Sequence, residues 1–144
     1  MPTVITESTS QLAAGRIWKE LLDCESFHTY MDVVRKVEIL DWQGDRRVSA
    51  WSVLLKGSVL EWEEEEVIDH EGRIITFHQI EGDMAYFKGT WQVIEDSEVT
   101  RVRLEVDFDI GIPLLAEMLN PVASRALEDY SNEVVRHLEE RTAI

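Results

Sequence analysis

Hydrophobic and polar residues alternate with a period of two along the middle of the chain, which is typical of β-strands. Six such runs follow one another between Val33 and Gly111, joined by short turns that contain Gly, Asp or Ser. Because these turns leave no room for helical crossovers, we expect an antiparallel meander with one buried and one wet face. The predicted turns are Gln43–Asp45, Lys56–Gly57, His70–Gly72, Gly82–Asp83 and Asp96–Ser97.

A strand and two short helices are predicted before the meander. Thr3–Glu7 alternates as a strand does. Thr9–Ser10 then offers an N-cap for a helix that ends near Asp23, since the apolar residues after it recur at helical spacing. A second short helix is predicted over Ser26–Met31.

The last element predicted is one long amphipathic helix. Apolar residues recur at helical spacing from Pro113 to about Arg141, and Pro121 inside this run should kink or reset the helix. The apolar face of the sheet is the partner available for such a helix. We therefore predict an α+β helix-grip fold, a seven-stranded curved antiparallel sheet around a long C-terminal helix. A curved sheet and a straight helix leave a cavity between them, where a ligand would bind.

Composition limits the function classes. The 144 residues suit a single domain, here 1–144, and the formal net charge of -15 argues against nucleic-acid partners. No apolar run reaches the ~20 residues that a membrane span needs, so we expect a cytoplasmic protein. Cys24 is the only cysteine and no two histidines have metal-ligand spacing, so we expect no metal. The sequence has no Gly-rich phosphate loop, so we expect no nucleotide cofactor. Oligomeric state, monomer or homodimer, is left open.

The segment Glu61–Glu66 is the most unusual one, because Trp62 interrupts a run of glutamates. Alternation places Glu64 and Glu66 on the same face as Trp62. If that face lines the cavity, burial and the neighbouring like charge would raise a carboxyl pKa toward the range useful for proton transfer. The alternative is that both carboxylates are charged because they are wet.

The whole order of elements resembles the Bet v 1-like (START-like, helix-grip) superfamily, and within it the polyketide cyclase/dehydrase and ubiquinone-binding-protein group. The resemblance is carried by "RKVEILDWQGD", "VLEWEEEEVID", "RIITFHQIEGDMAYFKGTWQV" and "MLNPVASRAL", which begin at Arg35, Val59, Arg73 and Met118. It implies an internal cavity that holds a hydrophobic small molecule. Members bind or transform very different molecules, so the fold alone does not give the activity.

Two functions follow from the resemblance. The first is a cyclase/dehydratase of secondary metabolism that holds a polyketide, which an acyl carrier protein would deliver, and cyclises it by acid-base catalysis. The second is a carrier of a quinone or lipid without chemistry. Aromatase/cyclase members place an arginine where Glu66 stands and a cavity tyrosine near Val34. These departures favour a different proton-transfer cyclisation or an amine-bearing ligand.

The candidate site residues follow from the glutamate run and from the family resemblance. Glu64 and Glu66 are the expected acid and base. Asn120 matches a cavity asparagine of the cyclase-like proteins, and His78 matches a histidine of similar enzymes, so Asn120 and His78 would orient a carbonyl. Gly89 either bends its strand and leaves space beside Trp91 or only relieves crowding in a filled core. The residues expected to bind the ligand are mostly aromatic: Tyr30, Trp51, Trp62, Phe77, Phe87, Trp91, Phe108 and Met118.

Overall fold

A computed structural model gives the architecture of the chain. It describes residues 3–55, 57–111 and 113–142, and of 113–119 and 141–142 only the backbone. The strands are β1 (Thr3–Ser10), β2 (Val34–Gln43), β3 (Arg46–Leu55), β4 (Ser58–Asp69), β5 (Ile74–Gly82), β6 (Tyr86–Glu95) and β7 (Thr100–Asp109). The helices are α1 (Ala14–Leu22), a 3₁₀ helix (Cys24–Thr29) and α2 (Pro113–Thr142).

The seven strands form one antiparallel sheet in the order β1-β7-β6-β5-β4-β3-β2. Neighbours along the chain pair with one another from β2 to β7, and β1 closes the sheet beside β7. The predicted helix-grip fold is confirmed. Gly57, with φ of 82°, provides the left-handed conformation that a tight turn between β3 and β4 needs, and this hairpin aligns the residues of the site.

The N-terminal boundaries differ from the prediction. Thr9 and Ser10 do not cap a helix, because both continue β1 and pair with Arg101 and Thr100 of β7. Helix α1 begins only at Ala14, without a side-chain cap. The second short helix is a 3₁₀ helix that begins at Cys24 and ends at Thr29, earlier than predicted.

The long helix lies against the sheet and contacts β1 most extensively. Val134, Val135 and Leu138 are buried there. The hydroxyl of Ser131, fully buried, lies 3.0 Å from that of Thr6, which fixes the helix to β1 through a polar contact inside the core. α2 is continuous through Pro121, so of the two predicted effects of this proline, a kink or a reset, the reset does not occur. Among the described residues, no helix has the length and apolar character to cross a membrane.

Candidate functional site

A cavity lies between the sheet and α2, and its wall is mainly aromatic. Its free volume is about 100 Å³. On this scale roughly 10–15 Å³ holds one water molecule, so the cavity has room for several water molecules. The aromatic side chains that line it are Phe27, Trp51, Trp62, Phe77, Phe87, Trp91, Phe108 and Tyr130. The other polar groups in the wall are Cys24, Glu64 and Glu66.

Two tryptophans form the centre of one wall. Trp51 on β3 and Trp62 on β4 are direct cross-strand partners, and their rings stack at an interplanar angle of 3°. The indole N–H of Trp51 donates to Ser49 Oγ at 2.8 Å, and that of Trp62 donates to Glu64 Oε1 at 2.8 Å. Each indole therefore fixes a polar group two residues away on its own strand.

Arg47 and Glu66 form a buried ion pair next to this wall. Arg47 Nε donates to Glu66 Oε1 at 2.8 Å, and Arg47 Nη2 donates to Glu66 Oε2 at 3.0 Å. Ser49 Oγ donates a further hydrogen bond to Glu66 Oε1 at 2.9 Å. The remaining Arg47 nitrogen, Nη1, donates to the carbonyl of Leu22 at 2.6 Å, and the guanidinium lies 4.8 Å from the ring centre of Trp42. Arg47 is thus fully engaged, and three donors reach the carboxyl group of Glu66.

The surroundings of Glu64 differ from those of Glu66. It is 3% exposed, and no cation contacts it directly in the described part of the chain. Burial raises the pKa of Glu64 well above its usual range, and the charge of Glu66 and a hydrogen bond between the two carboxyls raise the pKa further, whereas the Trp62 indole N–H and Arg47 lower it. The two carboxyls therefore differ: Glu66 is paired with Arg47, whereas the raised pKa of Glu64 favours its protonated form.

Tyr130 of α2 lines the same cavity as the two carboxyls. Its ring contacts those of Phe27, Trp51 and Trp91 at centroid distances of 5.4, 6.3 and 5.2 Å. Burial raises the pKa of Tyr130 well above its usual range, so the phenol stays neutral. Burial likewise raises the pKa of Cys24 to about 12, which makes this thiol a poor nucleophile.

The cavity brings together most of the residues that the sequence singled out. Glu64 and Glu66 lie in its wall on the same face of β4. Six of the predicted ligand-binding residues lie there as well: Trp51, Trp62, Phe77, Phe87, Trp91 and Phe108. The side chain of Met118 lies outside the described residues.

Three predicted site residues lie outside this cavity. His78 is exposed on the outer face of β5, because Ile75 and Phe77 take the buried positions of that strand. Asn120 is half-buried and does not line the cavity; its Oδ1 is buried and has no hydrogen-bond partner in the described part of the chain. Neither residue is placed to orient a carbonyl bound in the cavity.

Tyr30 is the third of these residues and lines a neighbouring groove. Its hydroxyl donates to Glu20 at 3.1 Å, and its ring stacks on His137. The groove and the cavity share Val33, Ala126 and Tyr130, so Tyr130 stands between them. The groove and the cavity are therefore neighbours that share part of one wall.

Sequence reasoning missed Arg47, Ser49 and Tyr130. The sequence contained a signal for Arg47 and Ser49, namely the predicted turn at Lys56–Gly57. A two-residue turn there pairs each residue of the strand before it with the residue of the next strand for which the two numbers add to 113. This register places Arg47 opposite Glu66 and Ser49 opposite Glu64, as the structure has them. Tyr130 belongs to the predicted apolar face of the long helix, but nothing local marks it as a cavity residue.

Comparison with known proteins places the chain in context. The sequence model for the family described as polyketide cyclase / dehydrase and lipid transport matches residues 11–135. No curated protein sequence matches the chain.

Solved structures share the whole architecture. A protein from Thermus thermophilus, TTHA0849, is 28% identical, with a TM-score of 0.84 over 97% of this chain and 96% of that one. The Zhui aromatase/cyclase from a Streptomyces species is 26% identical, with a TM-score of 0.86 over 98% of this chain and 95% of that one. A START superfamily protein from Mycobacterium smegmatis is 16% identical, with a TM-score of 0.83 over 96% and 97% of the two chains, a similarity that concerns the fold alone.

Proposed function

Because the chain belongs to the polyketide cyclase / dehydrase and lipid transport family, we propose that it holds a hydrophobic, carbonyl-bearing molecule such as a polyketide intermediate in the cavity and promotes its cyclisation and dehydration. The observation that supports this function is the buried carboxyl of Glu64, whose pKa is raised, in a mainly aromatic wall. A neutral carboxyl in a water-poor site is a suitable general acid. The similarity to an aromatase/cyclase supports the same class of reaction.

The proposed reaction uses the carboxyl proton of Glu64. Glu64 donates its proton to the oxygen of the carbonyl under attack, and the resulting carboxylate takes the proton lost from the attacking carbon. The bond between the two carbons forms and the new hydroxyl remains. In the dehydration step Glu64 protonates this hydroxyl, which leaves as water, and the carboxylate removes a proton from the adjacent carbon. The carboxyl pair returns to its starting state after each step.

Glu66 has a positioning role in this scheme. Arg47 and Ser49 hold its carboxyl group in place, and Glu66 raises the pKa of Glu64, which favours the proton on Glu64 until a substrate oxygen accepts it. The aromatic wall folds the chain of the substrate so that the reacting carbons meet, which is catalysis by positioning. Arg47 is excluded from direct contact with a substrate, because it is 1% exposed and does not line the cavity.

The experiment compares Glu64→Gln with Glu65→Gln, using intermediates with several ketone groups as substrates and tryptophan fluorescence to follow binding. Gln keeps the shape and the acceptor for Trp62 but cannot deliver a proton. We expect Glu64→Gln to lower turnover by about 10²- to 10⁴-fold with a similar Kd. Glu65 is the matched control, since it points to the outer face and pairs with Arg46. Equal turnover in wild type and Glu64→Gln would exclude the role of Glu64.

A carrier is the second candidate function. The wall is mainly apolar and Arg47, the cation nearest to the carboxyls, is fully engaged, which suits a passive binding site for a quinone or lipid. The same experiment separates the two functions. Saturable binding without turnover by the wild-type protein would favour the carrier, and an absence of binding would contradict both.

A further inference from the structure

Tyr130 differs from Tyr30, the other tyrosine of this region, in the hydrogen bonding of its hydroxyl. The Tyr30 hydroxyl donates to Glu20 at 3.1 Å. The Tyr130 hydroxyl makes no hydrogen bond with any residue that the structure describes, and it is not one of the buried unpaired polar atoms, so it is open to the cavity that Tyr130 lines. Its ring is held by Phe27, Trp51 and Trp91, so the unpaired hydroxyl has a fixed position in the wall.

The charges around the cavity cancel. Glu66 is neutralised by Arg47, whose nitrogens donate to Glu66 and to the carbonyl of Leu22. A ligand carboxylate would find no free cation among the described lining residues, and an ammonium group would find no free anion. The structure therefore does not support the amine-bearing ligand that the reversed charge at Glu66 suggested.

Two O–H donors of the lining can serve a ligand: the phenol of Tyr130 on α2, and the carboxyl of Glu64 on β4 once its hydrogen bond with Glu66 is exchanged for one to the ligand. We infer that Tyr130 is a ligand-binding residue that donates a hydrogen bond to a ligand oxygen together with Glu64, so that the cavity selects neutral ketones or quinones over carboxylates, amines and hydrocarbons. This inference rests on the proposed function, since it requires that the cavity takes a ligand.

Tyr130 also has a distinct part in the proposed reaction. Glu64 gives up its proton, whereas the phenol keeps its own because burial raises its pKa. A donor that stays in place stabilises the negative charge that develops on the carbonyl oxygen during attack. Loss of the hydroxyl should therefore lower kcat in addition to weakening the binding of the ketone.

The test uses four ligands with one carbon skeleton: α-tetralone, tetralin, 1-aminotetralin and tetralin-1-carboxylate. Binding to wild type, Tyr130→Phe and the matched control Tyr30→Phe is measured by tryptophan quenching. We expect α-tetralone to bind wild type most tightly. Tyr130→Phe should weaken the binding of α-tetralone by about three- to tenfold, because one neutral hydrogen bond is lost. The binding of tetralin should not change. Tyr30→Phe should change neither ligand, because its hydroxyl lies outside the cavity.

The infrared carbonyl band of bound α-tetralone gives a readout that packing alone would not move. Hydrogen bonding should lower its frequency in wild type and Tyr30→Phe, and Tyr130→Phe should raise it toward the value in hydrocarbon solvent. An unchanged band, or equal weakening of α-tetralone and tetralin, would overturn the role of Tyr130 while leaving the proposed function standing. Failure of all four ligands to bind wild type would overturn both.

Discussion

The guanidinium of Arg47 and the carboxylate of Glu66 meet in a two-point ion pair whose side chains are 0% and 4% exposed. A buried ion pair is not in itself a strong source of stability, because both charges lose their hydration. Here it has a second effect, since it leaves the charge of Glu66 in place beside Glu64. The pair thus places beside Glu64 a charge that helps to raise the pKa of that carboxyl.

Replacement of Arg47 by Met should lower the free energy of unfolding by about 3–5 kcal/mol, because it leaves the buried charge of Glu66 without a partner. Urea unfolding, followed by tryptophan fluorescence, measures the change. The matched control is Arg46→Met, which removes the exposed pair with Glu65 on the outer face and should cost less than about 1 kcal/mol. The double variant Arg47→Met/Glu66→Leu should recover most of the loss, since an apolar pair needs no hydration. Similar losses in the two single variants would contradict a structural role for the buried pair.

The raised pKa of Glu64 should appear in the pH dependence of stability. The folded protein keeps this proton at pH values where the unfolded chain, with a Glu pKa of about 4.3, has lost it. Relative to Glu64→Gln, wild-type stability should therefore fall as pH rises above the unfolded pKa, by about 1.4 kcal/mol per pH unit until the folded pKa is reached. Urea unfolding at a series of pH values gives the two curves.

The groups that face Glu64 do not obscure this comparison. Glu66 is paired with Arg47, and burial raises the pKa of both Cys24 and Tyr130. All four remain in the Gln variant, so the difference between the curves belongs to Glu64. Glu65→Gln serves as the control and should give a curve parallel to wild type. Parallel curves for wild type and Glu64→Gln would mean that Glu64 ionises normally.

The sequence was sufficient for the fold because its signals are local. Period-two alternation and short turns define the meander, and helical spacing defines α2. The same alternation puts Glu64 and Glu66 on one face but cannot distinguish them. Their difference comes from the register of the neighbouring strand, which pairs Glu66 with Arg47 and Glu64 with Ser49. The charge of a site residue thus depends on a cross-strand contact that no single run of sequence displays.

The face of His78 was ambiguous for a related reason. Both faces of β5 carry apolar residues, so alternation alone does not select the buried one. The structure buries Ile75 and Phe77 and leaves Ile80 half exposed. Phe77 pairs with Glu66 of β4, and this pairing decides which face of β5 turns to the cavity.

Gly89 is required by close packing. A Cβ at this position would lie 2.4 Å from the carbonyl oxygen of Glu105 and 2.6 Å from Phe77 Cζ, so the space beside the strand is filled. Gly89→Ala should therefore lower the free energy of unfolding by about 1–3 kcal/mol, measured by urea unfolding. Gly15 in α1 has no heavy atom within 4 Å of its Cβ position, and Gly15→Ala should be neutral or stabilise by up to about 1 kcal/mol. A neutral Gly89→Ala would mean that the two strands separate easily at this point.

The single thiol offers a test of how closed the cavity wall is. Cys24 is 1% exposed, and burial raises its pKa to about 12, so its thiolate fraction near pH 8 is more than about a thousandfold below that of a free thiol with a pKa of ~8.5. Native protein should therefore resist iodoacetamide at about pH 8, whereas protein in denaturing urea reacts at the rate of a free thiol. Mass spectrometry after timed quenching follows the modification. Rapid reaction of the native protein would show that the 3₁₀ helix opens readily, and a ligand that slows this reaction would then report binding in the cavity directly.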